Sequence, residues 1–349
     1  MPAVQPPATV LVTGASGFVA VWITKTLLER GFHVRGTVRS PSKGEYLANL
    51  FKTHGSKFTY VLVEDVSLEG AFDQAVKGVD AVVHTASPVN VDGEEPDAFI
   101  KPAVNGTLNA LKGVKKHGAS VKRVVITGSV AALLQPKDDV PAVYTEADWN
   151  TFAVEEVKAK GIHADQMSKY RASKTLAERA AWDFVEQNKA EIGFDLATIL
   201  PSCVFGPVLH DTPTIEQLSG TPKFFYVSTR GEGFPRDRKS PFTNYVDVRD
   251  VAEIHVRALE QEIAGGQRFV CSAAPFTWQD IYNALNSAEP PIPNVPKGDP
   301  TIESVYPTIH SSDKARTVLG FKFTSLQSTV VDALVSLRER EKSWAASAD

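Results

Sequence analysis

Cysteine is scarce in this sequence, and the few thiols that it has form no recognisable pattern. The 349 residues contain 2 cysteines, Cys203 and Cys271, and neither belongs to a C-x-x-C pair or to a Cys/His spacing typical of a metal site. A disulfide framework and a zinc ribbon are therefore excluded, and we expect no metal ion at the functional site. Low cysteine usage favours a reducing compartment, for which we expect the cytoplasm.

The sequence also lacks an excess of positive charge and long apolar runs. With 37 basic and 41 acidic side chains the net charge is -4, which has the wrong sign for binding a phosphate backbone by bulk electrostatics. No apolar run approaches the roughly 20 residues of a membrane span, and residues 1–9 lack the basic and apolar regions of a signal peptide. We therefore expect neither a nucleic acid nor a membrane as a partner.

Short apolar segments alternate with longer amphipathic ones along the first two thirds of the chain. This alternation is typical of βα units around a parallel sheet, and it predicts an α/β fold with a doubly wound (Rossmann) sheet of about six strands. The predicted strands are 9–13, 33–38, 59–64, 81–85, 123–128 and 195–200, and the helices predicted between them are 19–30, 71–77, 102–117 and 172–189.

A glycine-rich turn follows the first predicted strand and opens the first predicted helix. Gly14 and Gly17 leave room there for a phosphate at a helix N-terminus, where backbone N–H groups and the positive end of the helix dipole bind anions. This context predicts a dinucleotide site formed by Gly14, Ser16, Gly17, Phe18 and Val19. The alternative is a βα turn that needs glycines only for its geometry.

The residues after the second and third predicted strands indicate which dinucleotide binds. NAD-binding folds usually carry an acid after the second strand, whereas this chain has Arg39, followed by Lys43. A guanidinium pairs with the 2′-phosphate, so we expect NADPH/NADP+, unless both bases are ordinary solvated side chains. Asp65 is expected to accept a hydrogen bond from the adenine amino group or else to cap a helix, and Val66 beside it is expected to contact the cofactor.

A change of composition near residue 200 divides the chain. Residues 1–200, with a strand and a helix from about 244–272, are expected to form the dinucleotide-binding domain, and residues 201–349 mainly a smaller substrate-binding lobe and lid. The helices and strand predicted in the second part are 248–261, 267–272, 278–286 and 326–340. The Pro, Gly, Ser and Thr of 206–242 predict an ordered loop or lid, and the five prolines of 289–300 predict an extended connector.

A tyrosine and a lysine lie one helical turn apart in the second half of the dinucleotide-binding domain. Tyr170 and Lys174 share one helix face, where an ammonium lowers the pKa of a phenol and makes it a usable acid at neutral pH. Ser129 follows the fifth predicted strand, and ligands of an open parallel sheet bind outside the carboxyl ends of its strands. The three side chains together predict one catalytic site beside the dinucleotide.

Further segments accompany these residues, namely Val38 to Ser40, His84 to Pro88, Leu200 to Pro207 and Tyr245 to Val251. With them the chain resembles the extended short-chain dehydrogenase/reductase family, in its dihydroflavonol reductase-like branch, and especially the fungal NADPH-dependent aldehyde and ketone reductases. The resemblance implies a carbonyl reductase that transfers hydride to an aldehyde or ketone and gives an alcohol, and that is a monomer or a homodimer.

The resemblance also implies the role of each site residue. Ser129 and Tyr170 would hydrogen-bond the substrate carbonyl, Tyr170 would give the proton, and Lys174 would also bind the nicotinamide ribose. Other cofactor contacts would come from Thr85, Ala86, Thr127, Pro201 and Ser202. The chain departs from the family at Gly128, where Ser or Thr is frequent, and at the helix asparagine of the proton relay, for which Asn105 is an insecure equivalent.

Mostly apolar side chains near the expected strand ends and in the lid are candidates for the substrate pocket. They favour a hydrophobic or aromatic carbonyl compound, although each could instead belong to the core. The candidates are Val89, Leu133, Met167, Phe205, Phe225 and Tyr226.

Two other functions remain as alternatives. Nucleotide-sugar epimerases and dehydratases use tightly held NAD and a similar tyrosine and lysine, but Arg39 argues against them. Proteins that bind dinucleotide as redox sensors without turnover commonly lack the pair formed here by Tyr170 and Lys174, so its presence counts against a sensor.

Overall fold

The computed structural model describes residues 3–87, 94–230, 243–299, 301 and 303–346. The strands within these residues, β1 to β12, are Thr9–Thr13, His33–Val38, Phe58–Leu62, Ala81–His84, Arg123–Thr127, Ala142–Tyr144, Asp195–Pro201, Cys203–Phe205, Asn244–Asp247, Gln267–Cys271, Ala274–Pro275 and Thr308–His310. The α-helices of the same residues, α1 to α10, are Phe18–Glu29, Pro41–Leu50, Pro96–His117, Thr151–Lys160, Gln166–Gln187, Gly220–Ser228, Val248–Glu260, Trp278–Asn286, Asp313–Val318 and Leu326–Ala346.

Seven parallel strands form the main sheet, in the order β10-β7-β5-β4-β1-β2-β3. The central strands β4, β5 and β7 are buried along nearly their whole length, because helices cover both faces of the sheet. The predicted doubly wound α/β fold is confirmed, with a seventh strand, β10, at the edge beside β7. The strand order reverses between β1 and β4, and ligands of such sheets bind at the carboxyl ends beside that reversal.

Helices cover the sheet in two layers. α1 and α7 pack against each other on one face, in a core that contains Val21, Leu27 and Ile254. α3 and α5 pack together on the other face, in a core that includes Leu111 and Ala181. Burial of these apolar helix faces stabilises the sheet from both sides. The helices cover the faces of the sheet and leave the carboxyl ends of its strands as an accessible edge.

The later part of the chain adds two small sheets and an aromatic cluster. β8, β9 and β11 form a three-stranded sheet, and β6 pairs with β12 in a second one. The buried cluster beside them includes Phe205, Phe225, Tyr245, Trp278 and Tyr282, and apolar residues of α10 pack into the same cluster. This cluster is separate from the two cores that flank the main sheet.

Several predicted elements need correction. Residues 71–77 form successive turns rather than a helix, because Gly70 and Gly78 bracket them with φ of 76° and 69°. Residues 206–242 were expected to be a loop, yet α6 lies within them, stabilised by burial of Phe225 and Tyr226.

The bounds of three helices also differ from the predictions. α3 begins at Pro96 and runs through Pro102, and α5 begins at Gln166, where Asp165 accepts a hydrogen bond from the Ser168 N–H at 2.9 Å. The last helix, α10, continues beyond the predicted end at residue 340. Helices α2, α4 and α9 were not predicted.

Candidate active site

The glycine turn joins β1 to α1 at the reversal of strand order. Gly14 has a φ of 63°, and a Cβ there would lie 3.1 Å from the Cα of Ala86, so glycine is required at this close approach. Gly17 precedes α1, and no described side chain caps that helix. The first-turn N–H groups of Phe18 and Val19 therefore remain available for an anion, as the sequence predicts for a phosphate.

Thr13, the last residue of β1, organises the neighbouring end of β4. Its hydroxyl oxygen accepts hydrogen bonds from the N–H groups of Thr85 and Ala86, at 3.0 and 3.1 Å, and lies 3.0 Å from Nδ1 of His84. The Thr85 hydroxyl in turn donates to the carbonyl oxygen of Thr13. These bonds hold Thr85 and Ala86 against the glycine turn, where the sequence places them as cofactor contacts. The sequence analysis did not assign Thr13 this role, since the bonds join residues of two separate strands.

Ser129 and Tyr170 are brought together from different elements. Ser129 follows β5 in extended conformation, and its oxygen accepts the Ala131 N–H at 3.1 Å. Tyr170 lies on the second turn of α5, half-buried, and the nearby Ser129 side chain acts to lower the pKa of its hydroxyl. Two hydroxyl groups therefore converge at the carboxyl edge of the sheet, where they can both contact one carbonyl oxygen.

Lys174 completes the cluster one turn further along α5. Its Nζ lies 5.6 Å from the centroid of the Tyr170 ring and donates a hydrogen bond of 2.8 Å to the Ser87 hydroxyl. Among the described residues no carboxylate pairs with this ammonium, and burial lowers the pKa of Lys174 to about 8. Burial, together with the charge of Lys174, also lowers the pKa of His84 to about 4, so this histidine is neutral.

The pKa of Tyr170 differs from the expectation. The sequence predicts a lowered pKa because of the ammonium, but burial raises the pKa of this phenol, and the hydrogen bond from Ser129 offsets the rise only in part. Desolvation of the phenolate is the largest cause of this rise. In the free protein Tyr170 therefore keeps its proton at neutral pH.

A buried ion pair fixes the orientation of the helix that carries these residues. Glu178, one turn beyond Lys174, accepts hydrogen bonds from Nε and Nη2 of Arg268 at 2.8 and 3.0 Å, and from the Thr198 hydroxyl at 2.8 Å. Both donors belong to strands of the main sheet, β10 and β7. The pair anchors α5 to the sheet, and the sequence analysis gave no signal of it.

The predicted 2′-phosphate site lies between β2 and α2. Arg39 is exposed and makes no hydrogen bond or ion pair with any described residue. α2 begins at Pro41, and no described side chain caps its N-terminus after Ser40. Lys43, by contrast, pairs with Asp211 at 2.9 Å. One of the two predicted bases is thus free and the other is already paired.

The predicted adenine end of the cleft depends on a residue that no sequence pattern identifies. Asp65 is exposed and accepts hydrogen bonds from the N–H and hydroxyl of Ser67, at 2.8 and 2.7 Å, but no helix follows it. Asn109 of α3 donates to the carbonyl oxygens of Val66 and Leu68, at 3.1 and 2.8 Å. The segment that would contact adenine is therefore positioned by α3.

The remaining cofactor candidates lie at the ends of β5 and β7. The Thr127 hydroxyl is 2.7 Å from Nε2 of His255, so this side chain is held by α7. Pro201 is buried at the end of β7, and the buried Ser202 hydroxyl has no hydrogen-bond partner among the described residues. A buried unpaired hydroxyl costs free energy, which a polar ligand at this position would recover.

The substrate candidates separate into two groups. Leu133, Phe205, Phe225 and Tyr226 are at most 2% exposed and pack within buried clusters, which favours the alternative that they belong to the core. Met167 is half-buried and lies one turn before Tyr170 on the same helix. The prediction for Val89 falls outside the described residues.

The two departures from the family pattern have structural explanations. A side chain at Gly128 would place its Cβ 2.6 Å from Cδ2 of Leu200, so Leu200 would have to shift to admit the Ser or Thr of the family. Asn105 is exposed on α3, whereas the buried asparagine of that helix is Asn109, which binds the 66–68 segment. Neither asparagine forms a hydrogen bond with Lys174 in the described part of the chain.

The part of the chain that the structure describes contains neither a metal-binding cluster nor a membrane-spanning helix. No three His, Cys, Asp or Glu side chains within these residues are grouped as a metal site. Within the same residues no helix has both the length and the apolar character that a membrane crossing requires.

The model of the NAD dependent epimerase/dehydratase family matches residues 10–272, more than half of the chain. The chain belongs to this family. It is an extended short-chain dehydrogenase/reductase, so the resemblance found in the motifs is confirmed.

Relatives within the family are similar along nearly their whole length. The chain is 37% identical over 346 residues to the putative NADPH-dependent methylglyoxal reductase GRP2 of Candida albicans, with 94% of this chain and 98% of that protein covered. It is 38% identical to the ketoreductase azaE of Aspergillus niger, with 95% and 98% covered. The crystal structure of the yeast methylglyoxal/isovaleraldehyde reductase Gre2 complexed with NADPH is similar, with a TM-score of 0.83, 32% identity and 96% and 99% covered.

Proposed function

We propose that this protein is an NADPH-dependent carbonyl reductase, which transfers hydride to an aldehyde or ketone and gives an alcohol. The observation that carries the proposal is the convergence of Ser129, Tyr170 and Lys174 at the carboxyl edge of the sheet, beside the glycine turn. The reductases named among its relatives, including two described as NADPH-dependent or complexed with NADPH, support the same activity.

The residues of the cleft fit this cofactor along its length. The uncapped N-terminus of α1 suits the pyrophosphate, and the free guanidinium of Arg39, beside the uncapped N-terminus of α2, suits the 2′-phosphate. At the other end, Ser202 offers an unpaired hydroxyl to the nicotinamide, and Lys174 can donate to the ribose hydroxyls. Thr85 and Ala86 form the wall between these two ends.

NADPH, when bound, supplies the hydride for the carbonyl carbon. Tyr170 donates the proton to the carbonyl oxygen, since the phenol is protonated at neutral pH. Ser129 donates a second hydrogen bond to the same oxygen and stabilises the negative charge that develops there. The ammonium of Lys174 lies near the phenol and favours the phenolate left by proton transfer.

We propose a small hydrophobic or aromatic aldehyde or ketone as the substrate. Met167 supports this class, because it is a half-buried, apolar residue on the helix face of Tyr170. Methylglyoxal and isovaleraldehyde belong in the first panel of substrates, since the names of two relatives specify them.

The two alternative functions are less well supported. Arg39 is free to bind a 2′-phosphate, a group that the NAD of nucleotide-sugar epimerases lacks. A sensor without turnover needs no assembled proton donor, yet Ser129 and Tyr170 lie together in the cleft.

The test is the loss of NADPH absorbance with aliphatic aldehydes, aromatic ketones, β-ketoesters and 1,2-dicarbonyls, with NADH in parallel. We expect turnover with NADPH, and Tyr170→Phe should lower kcat by about a hundredfold to ten-thousandfold while NADPH still binds. Wild-type binding of NADPH without reduction of any carbonyl would favour the sensor. NAD retained through purification would favour the epimerase.

Three further features belong to the proposal. The division into a dinucleotide-binding domain, 1–200 with a strand and a helix from about 244–272, and 201–349 as mainly a substrate-binding lobe and lid, is supported by the separate aromatic cluster of the second part. The free, buried thiols of Cys203 and Cys271 suit the cytoplasm, which fractionation would test. A monomer or a homodimer is expected, and light scattering distinguishes the two.

A further inference from the structure

A segment of the second half of the chain lies across the helices that flank the cofactor cleft. We call residues 207–212 the bridging segment. Its carbonyl groups accept hydrogen bonds from Trp22 at Pro207, from Tyr46 at Leu209 and from Trp344 at Thr212, with distances of 2.8, 2.8 and 2.6 Å. The first two donors belong to α1 and α2, which form the dinucleotide side of the cleft.

Two side chains of the bridging segment reach cofactor residues. The ring of His210 lies 5.5 Å from that of Phe18, the first residue of α1. Asp211 receives two hydrogen bonds from Nζ of Lys43, at 2.9 Å to its Oδ2 and 3.2 Å to its carbonyl oxygen. The carboxylate of Asp211 thus forms an ion pair with Lys43, one of the two basic residues that the sequence predicts for binding the 2′-phosphate.

We infer that Asp211 is a specificity-determining residue, an internal anion that competes with the cofactor 2′-phosphate for Lys43. An ammonium has three donors, and the bonds to Asp211 use two of them. A phosphate that binds Lys43 must either displace the Oδ2 of Asp211 or accept a like charge beside it. A dinucleotide without the 2′-phosphate leaves the pair intact, so Asp211 lowers the preference for NADPH over NADH.

The pair is accessible enough for this exchange. The side chains of Lys43 and Asp211 are 32% and 24% exposed, so the carboxylate can rotate into water when a phosphate takes its place. Arg39, the other predicted phosphate ligand, makes no hydrogen bond or ion pair with any described residue, and it therefore binds phosphate without such a competitor. The inference rests on the proposed NADPH site, of which it names one further determinant.

The test uses 2′,5′-ADP and 5′-AMP, which differ in the 2′-phosphate, with dissociation constants measured by calorimetry on the full chain. Asp211→Asn should lower the dissociation constant of 2′,5′-ADP by about threefold to tenfold at low salt. It should leave the dissociation constant of 5′-AMP unchanged, because only the 2′-phosphate competes for Lys43. This gain in affinity for 2′,5′-ADP should shrink at high salt, and it should disappear when Asp211→Asn is combined with Lys43→Met. Asp332→Asn removes a carboxylate from another exposed ion pair, with Arg249, and serves as the matched control.

The outcomes separate this inference from the proposed function. If the wild type binds 2′,5′-ADP no better than 5′-AMP, the proposed NADPH site itself is wrong. If the wild type prefers 2′,5′-ADP but Asp211→Asn does not increase the affinity for that ligand, or increases the affinity for both ligands alike, the inferred competition for Lys43 is wrong. Asp211 then only anchors the bridging segment. Thermal unfolding of each variant identifies a loss of fold, and in that case Asp211→Ser is measured in its place by the same criteria.

Discussion

The titration of Lys174 provides a sharp test of the site, because the structure gives the order in which its groups lose their protons. Burial lowers the pKa of Lys174 to about 8, whereas burial raises that of Tyr170 above its ordinary value. A lysine with a lowered pKa carries its charge below that pKa and loses it above. On raising the pH, Lys174 should therefore become neutral first, while Tyr170 still holds its proton.

The magnitude follows from one titrating group. An amine of pKa about 8 is about 90% charged at pH 7 and about 10% charged at pH 9. If binding of the nicotinamide ribose requires the ammonium, kcat/KM for NADPH should fall about tenfold for each pH unit above about 8.

The assay is kcat/KM for NADPH at saturating carbonyl, from about pH 6 to about pH 10, since this ratio reports groups of the free enzyme. In Lys174→Arg the guanidinium stays charged throughout, so the fall near pH 8 should vanish even if the overall rate is lower. Competitive acetylation followed by mass spectrometry gives the pKa of Lys174 without activity. A fall with the same midpoint in Lys174→Arg, or an acetylation pKa near 10, would refute the argument from burial.

Three further predictions concern cofactor choice, lysine positioning and helix anchoring. Arg39→Ala should raise KM for NADPH about tenfold to a hundredfold and leave that for NADH nearly unchanged in steady-state assays, and equal effects would reject the assignment. Ser87→Ala removes the acceptor that stabilises the ammonium of Lys174, so the midpoint of the alkaline fall in kcat/KM for NADPH should move about half a pH unit lower. Ser87→Thr should restore that midpoint, and an unmoved midpoint in Ser87→Ala would show that Ser87 has no influence on the lysine. Glu178→Gln should lower the free energy of unfolding in urea by about 3 kcal/mol because it leaves Arg268 buried without a carboxylate, and a loss below about 1 kcal/mol would contradict the anchoring role.

Local patterns made much of the fold predictable. The alternation of apolar and amphipathic segments reflects backbone periodicity, and it located the strands of the main sheet to within a few residues. The predicted helix at 71–77 was wrong because two glycines with positive φ confine the chain to turns. Helix α6 was missed because its stability depends on burial of Phe225 and Tyr226 among residues distant in sequence.

The same distinction holds for the site. The glycine turn, Arg39 and the spacing of Tyr170 and Lys174 are local features whose geometry follows from a βα turn or from one helix turn. By itself, the sequence therefore determined the family, the fold and the principal candidates for the site.

Only the tertiary structure decided the environment of each candidate. Lys43 pairs with a carboxylate 168 residues further along the chain, and Lys174 bonds to Ser87, which follows another strand. The pKa of Tyr170 is raised rather than lowered because desolvation depends on everything packed around the phenol. Burial, charge pairing and pKa are properties of the folded surroundings, and these are set by contacts that local sequence patterns do not encode.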